Sequence, residues 1–198
     1  VQGMNESRDT TFVGPALANT VRACDGKVEM LSFWTFSDVF EEDGPIPQPF
    51  EGHFGLRAKG GINKPSYYAF GLLHQLGDKR IPNDSKNLIV TTNSKGELVI
   101  AAWNLVDPDQ QGTTRWMELV FQGVAPDAAV RFQSVDNDHG STLKAYQLMG
   151  RPLNPTPAQV DQLNRASALA PPEHGKLKDG RLVIELSPNA LALITVGH

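Results

Sequence analysis

Residues 28–36 constrain this chain more than any other stretch. Val28, Met30, Leu31, Phe33, Trp34 and Phe36 put apolar side chains on both faces of an extended backbone. A strand of that kind belongs inside a parallel sheet, where helices cover both sides. Its flanks fit such a setting. Upstream, Leu17, Val21 and Cys24 recur at helical spacing after Gly14, and Asp25-Gly26 supplies a stop. Downstream, residues 37–62 read as a long loop rich in Gly, Pro and acidic residues, a length usually reserved for functional or disordered segments. A second helix begins near Lys64-Pro65, with proline in its first turn, and carries Tyr67, Phe70, Leu73, His74 and Leu76 to a stop at Gly77.

Helix, buried strand, long loop and helix follow one another as in the closing segment of a (β/α)8 TIM barrel, so an α/β unit is expected over residues 1–78. The pattern then changes. Residues 88–92 and 98–103 read as two strands joined by a turn at Asn93-Ser94-Lys95-Gly96. Further alternation runs through residues 117–121 and 129–135, and strands return at 181–186 and 190–196 around Ser187-Pro188-Asn189. Thr156-Pro157-Ala158-Gln159 is a capping box that opens a short helix bearing Val160 and Leu163. Short strands separated by turn signals predict an all-β unit, an accessory β-sandwich domain over residues 79–198.

Composition removes several classes of function. Of 198 residues, 40% are hydrophobic and 20% charged, which suits a folded core. The net charge is −4 and no Lys/Arg cluster is longer than the pair Lys79-Arg80, which argues against nucleic acid. Apolar runs fall far short of the ~20 residues that span a bilayer. The chain reads as soluble, with the compartment, cytoplasmic or secreted, left open. Its single cysteine, Cys24, permits no internal disulfide and reads as a packed residue rather than a nucleophile. Neither a cofactor nor a metal site is expected.

The chemistry concentrates where the apolar run meets Asp38, Glu41 and Glu42. Barrel enzymes build their sites at the C-terminal ends of strands and in the loops that follow. Trp34 can offer a flat face for a sugar ring, and the carboxylates can accept charge-assisted hydrogen bonds from vicinal hydroxyls. The residues alone equally allow Trp34 as a core aromatic and Glu41-Glu42 as a solvated acidic loop. Glu41 and Glu42 are not expected to be a catalytic pair, because neighbours on an extended chain point to opposite sides. A retaining glycosidase needs its two carboxyls ~5 Å apart across one bond.

The run Phe33-Trp34-Thr35-Phe36-Ser37-Asp38-Val39-Phe40-Glu41-Glu42 resembles the last barrel strand and following loop of glycoside hydrolase family 39 β-xylosidases. The resemblance continues through Phe54-Gly55-Leu56, Lys64-Pro65, Ala69-Phe70, Trp103-Asn104-Leu105-Val106 and Met149-Gly150-Arg151-Pro152. It implies retaining hydrolysis of β-xylosides by two glutamates, with Trp34, Glu41 and Glu42 lining the subsite of the reacting xylose. It also implies that both catalytic glutamates lie upstream of Val1, so no catalytic residue is assigned here and the chain alone is expected to be inactive. Glu6 matches neither motif of that family. Where the family has His-Gly-Gly before Phe54, this chain has Glu51-Gly52-His53, which puts a direct role for the loop histidine in doubt.

The expected partners are xylose-containing saccharides and the missing N-terminal part of the barrel, from the same protein or another chain; assembly into a homo-oligomer stays open. One rival reading is a non-catalytic carbohydrate-binding or scaffolding module. Trp103, Trp116 and Tyr146 are the aromatics available to it, and the two tryptophans, in or beside strands, are expected in the core. Another rival is a family 39 hydrolase with a different sugar, such as an iduronidase-like enzyme. Residues 136–141, Asp-Asn-Asp-His-Gly-Ser, open like a Ca²⁺ loop but lack the distal glutamate, and read as a polar turn. The sequons at Asn5 and Asn83 are too short a signal to carry meaning.

Overall fold

The strands expected at 88–92, 98–103, 129–135, 181–186 and 190–196 are present in the second half of the chain. A computed structural model describes residues 6–40, 44 and 46–197. Strands β3 (Lys79–Ile81), β4 (Leu88–Thr92), β5 (Leu98–Trp103), β7 (Ala129–Val135), β8 (Glu173–Lys176) and β10 (Leu191–Val196) make one six-stranded antiparallel sheet. Its order is β3-β4-β5-β10-β7-β8, so the last strand in the chain lies near the middle. There Ile194 sits between Ile100 on one side and Phe132 on the other. Strands β6 (Arg115–Val120) and β9 (Arg181–Leu186) pair separately as an antiparallel ribbon.

Period-two alternation sorts the side chains into two layers. Ile100, Ala102, Val130, Ala192, Ile194 and Val196 face the ribbon and pack with Ile184 and Leu186 from it. The alternate residues Ala101, Trp103 and Leu191 face the opposite way. They meet helices α1 (Val13–Cys24) and α2 (Pro65–Leu73) through Ala18 and Ala69. Small residues at those two positions let the helices approach the sheet closely. β10 is therefore buried on both faces, and each Leu or Ile in it contributes about 1.5–3 kcal/mol of burial.

A third core lies beside the sheet. The two-residue strands β1 (Arg57–Ala58) and β2 (Ile62–Asn63) turn through Gly60 and Gly61, both with positive φ (86° and 73°). Ala58 and Ile62 pack with Phe50, and with Tyr146 of α3 (Leu143–Leu148) and Leu163 of α4 (Pro157–Ser167). Residues from both halves of the sequence share this core. The capping box opens α4 as expected, with the Gln159 amide donating to Thr156 Oγ1 and the Thr156 amide donating to Gln159 Oε1.

The apolar run at 28–36 departs from expectation. It forms no strand, and its side chains are largely exposed, up to 85% for Met30. A central parallel strand needs neighbours on both edges and cover on both faces. Among the described residues only 35–38 finds a partner. The Thr35 amide donates to the Phe54 carbonyl, Leu56 to Thr35, Arg57 to Phe36, and Asp38 to Arg57, with a parallel bridge between Ser37 and Arg57. Phe33 covers itself partly by an edge-on contact with Phe70 of α2, ring centroids 5.2 Å apart.

Candidate functional site

Trp34 lies between Phe33, which contacts Phe70, and Thr35, whose backbone hydrogen-bonds to residues 54 and 56. Trp34 itself is 62% exposed, and its ring meets Phe40 edge-on at 5.3 Å between centroids. Phe36, two residues on, projects into solvent as well. The indole is thus exposed among the described residues. Glu41 and Glu42, the other two residues expected at the sugar site, lie outside the described residues.

Behind the exposed aromatics sits a buried ion cluster. Lys64, the residue before α2, is wholly buried, and Asp9 and Asp38 are nearly so. Its ammonium lies 2.7 Å from Asp9 Oδ1 and 3.2 Å from both oxygens of Asp38, and donates to the His53 carbonyl at 2.8 Å. The ammonium thus hydrogen-bonds to Asp38 and His53 and pairs by charge with Asp9, touching three stretches of chain. The carboxylates are occupied on their other sides. The Gly52 amide donates to Asp9 Oδ2 and the Gly55 amide to Asp38 Oδ1, each at 2.6 Å. Burial pushes the Asp38 carboxyl above the ordinary aspartate value; Lys64 pulls it down and Asp9 adds to the rise.

The loop at 50–56 is tied in by further contacts. Arg8 donates to the Gly52 carbonyl at 3.2 Å, and its guanidinium lies over the Phe54 ring at 3.9 Å. His53 is buried, with Nε2 3.7 Å from Glu51 Oε2. Glu6 stands exposed in the short 3-10 turn Glu6–Asp9, consistent with its reading as loop. Sequence reasoning missed Asp9 and Lys64. Lys64 was visible as a helix start and as part of the family resemblance but not as a site residue, and nothing near Asp9 distinguishes it from other polar residues of the first turn.

The remaining candidates separate clearly. Trp103 is fully buried under α1 and α2, and Tyr146 is buried with its hydroxyl donating to the Pro152 carbonyl at 3.0 Å. Trp116 corrects the expectation that it is a core residue, since it is 65% exposed. Met117 and Leu119 take the inward positions of β6, which leaves Trp116 on the outer face opposite Glu185. The loop at 136–141 is a turn built on Asp136, whose Oδ1 accepts from the amides of Asp138 and His139. Among the described residues no group of His, Cys, Asp or Glu is arranged to hold a metal ion. Cys24 is half-buried at the end of α1.

Comparison with known proteins decides the family. The family described as Glycosyl hydrolases family 39 matches residues 3–175. This chain belongs to family 39. The family 39 chain is 32% identical over 195 residues to a β-xylosidase of Geobacillus stearothermophilus, covering 98% of this chain and 38% of that protein. It is 29% identical over 174 residues to a β-xylosidase of Caldicellulosiruptor saccharolyticus, covering 83% of this chain and 36% of the other. Its fold matches a monomeric β-xylosidase of Caulobacter crescentus with a TM-score of 0.85 at 22% identity, over 98% of this chain and 43% of that one. It also matches a family 39 enzyme of Xanthomonas axonopodis with a TM-score of 0.79 at 24% identity, over 99% and 42%. The family 39 chain therefore shares the sheet-rich fold of these enzymes and spans less than half the length of each.

Proposed function

We propose that this chain is the C-terminal part of a retaining β-xylosidase that removes xylose from β-xylosides and xylo-oligosaccharides. The observation that carries the reading is the 32% identity to a β-xylosidase along 98% of this chain. In it, residues 1–78 complete a (β/α)8 barrel and residues 79–198 form an accessory β-sandwich. Trp34, Glu41 and Glu42 make one wall of the xylose subsite: the indole stacks on the sugar and the carboxylates accept from its hydroxyls. The catalytic glutamates come from residues that precede this sequence in the whole enzyme.

Exposed apolar surface supports the same reading. Phe12, Leu17, Val21, Leu31, Phe33 and Phe70 line an apolar groove of about 420 Å³ between α1, α2 and the 28–36 run. The rest of the barrel is its proposed cover, and it would also supply the parallel neighbours that residues 28–36 lack.

Hydrolysis of an aryl β-xyloside by the full-length protein tests the proposal. Glu41→Ala and Glu42→Ala should each lower kcat/KM by about 10- to 100-fold, the loss of a charge-assisted hydrogen bond worth ~1.5–3 kcal/mol. Turnover of another glycoside in place of the xyloside would keep the family and overturn the sugar. A monodisperse, xyloside-cleaving product from residues 1–198 alone would overturn the division of labour.

The outer-face position of Trp116 favours a second reading for the sheet region, a carbohydrate-binding surface that works without the barrel. Binding of xylan by residues 79–198, lost in Trp116→Ala, is the result that would establish it.

A further inference from the structure

Within the described residues Trp34 and Phe36 are both exposed, so their side chains are not what ties this segment to residues 50–56. Among the described residues, a short ladder to residues 54–57 and one buried side chain, Asp38, hold residues 35–38. Asp38 in turn depends on Lys64, which reaches it at 3.2 Å while also holding Asp9 at 2.7 Å and the His53 carbonyl at 2.8 Å. Three segments far apart in sequence, the turn at 6–9, the Trp34 segment and the 50–56 loop, therefore converge on one ammonium group.

We propose that Lys64 is a positioning residue of the sugar site, which sets where Trp34 stands relative to the 50–56 loop through Asp38. The inference rests on the xylosidase reading for its ligand but not for its geometry. Stability alone gives a poor account of the cluster. Taking an ammonium and two carboxylates out of water is expensive, and well-packed apolar replacements are often as stable or more so. What an apolar replacement does not supply is direction. The amide of Gly55 and the carboxylate of Asp38 fix the spacing between the two segments through a 2.6 Å hydrogen bond, and Lys64 donates to both oxygens of that carboxylate at 3.2 Å. Lys64 touches no substrate in this account; it acts through Asp38.

Two variants of the full-length protein separate positioning from folding. Lys64→Met leaves two buried carboxylates without a cation and is expected to destabilise the protein strongly. The triple variant Asp9→Asn, Asp38→Asn, Lys64→Met removes all three charges and should recover the melting temperature. Two readouts are taken on the triple variant. The first needs no sugar: hydrogen exchange at the amides of Thr35, Asp38 and Gly55 should accelerate at least tenfold while amides of β5 and β10 keep their protection. The second is kinetic: KM for an aryl β-xyloside should rise about tenfold or more, with kcat within a few-fold of wild type.

Unchanged exchange at those amides overturns the proposal. So does accelerated exchange with an unchanged KM, because the cluster would then stabilise the loop without placing the sugar. If the wild-type protein cleaves no β-xyloside but the exchange result holds, the geometry stands and the xylosidase reading is what falls.

Discussion

Lys64 Nζ and Asp9 Oδ1 stand 2.7 Å apart in the interior, joining the residue that opens α2 to the turn that precedes α1. The same ammonium also takes in Asp38 and the His53 carbonyl. Removal of the cation is therefore expected to be severe. Lys64→Ala should cost about 3–5 kcal/mol, the usual penalty for leaving a buried charge uncompensated, measured by chemical denaturation of the full-length protein.

The pH dependence of this cluster has a definite sign. Burial raises the Asp38 carboxyl above its ordinary value of 3.8, with Asp9 adding to the rise and Lys64 and the Gly55 amide opposing it. The folded chain thus binds this proton more tightly than the unfolded chain does. The contribution of Asp38 to stability is full below 3.8 and is lost as pH rises through the elevated folded value. Asp38→Asn mimics the protonated form and lacks that slope. Its melting temperature should improve relative to wild type as pH is raised from below 3.8 to neutrality, and a gap that stays constant would contradict the assignment.

Gly55 is predicted to accept no side chain. A Cβ there would collide with the backbone of Ser37 and Asp38 and with the Asp38 carboxylate. Gly55→Ala should destabilise by about 1–3 kcal/mol, as overpacking of rigid neighbours does, and should displace the ladder that carries Trp34. Circular dichroism melts report the first effect, and exchange at the Thr35 amide the second.

The two tryptophans of the sheet region should behave oppositely. Trp103→Ala empties a fully buried site and should cost about 3–5 kcal/mol. Trp116→Ala acts on the exposed face of β6 and should stay within about 0.5 kcal/mol of wild type. Urea unfolding of both variants checks the pair; comparable losses would place Trp116 in an interface.

Helix α4 tests local structure alone. Thr156→Ala deletes the side-chain half of the capping box and should cost about 1 kcal/mol, while Thr156→Ser should cost little.

Much of this was legible in the residues. Period-two alternation located β4, β5, β7, β9 and β10, and Thr156-Pro157-Ala158-Gln159 located α4, because these signals are local and each side chain reports its own environment. The run at 28–36 was legible in a different sense. Its apolar faces describe an environment that requires other strands, and among the described residues only residues 54–57 pair with part of it. Trp116 misled because a tryptophan beside a strand says nothing about which face it takes; the register with Glu185 decides that.

By itself the sequence determined helices α1, α2 and α4, strands β4, β5, β7, β9 and β10, the family resemblance at residues 33–42 and the candidates Trp34, Glu41 and Glu42. Only the tertiary structure decided that β10 lies near the centre of its sheet, and that Asp9, Asp38, His53 and Lys64 meet behind Trp34. The reason is physical: helix and strand signals come from neighbouring residues, whereas a buried ammonium selects its partners through space, and distant segments leave no periodic trace of their meeting.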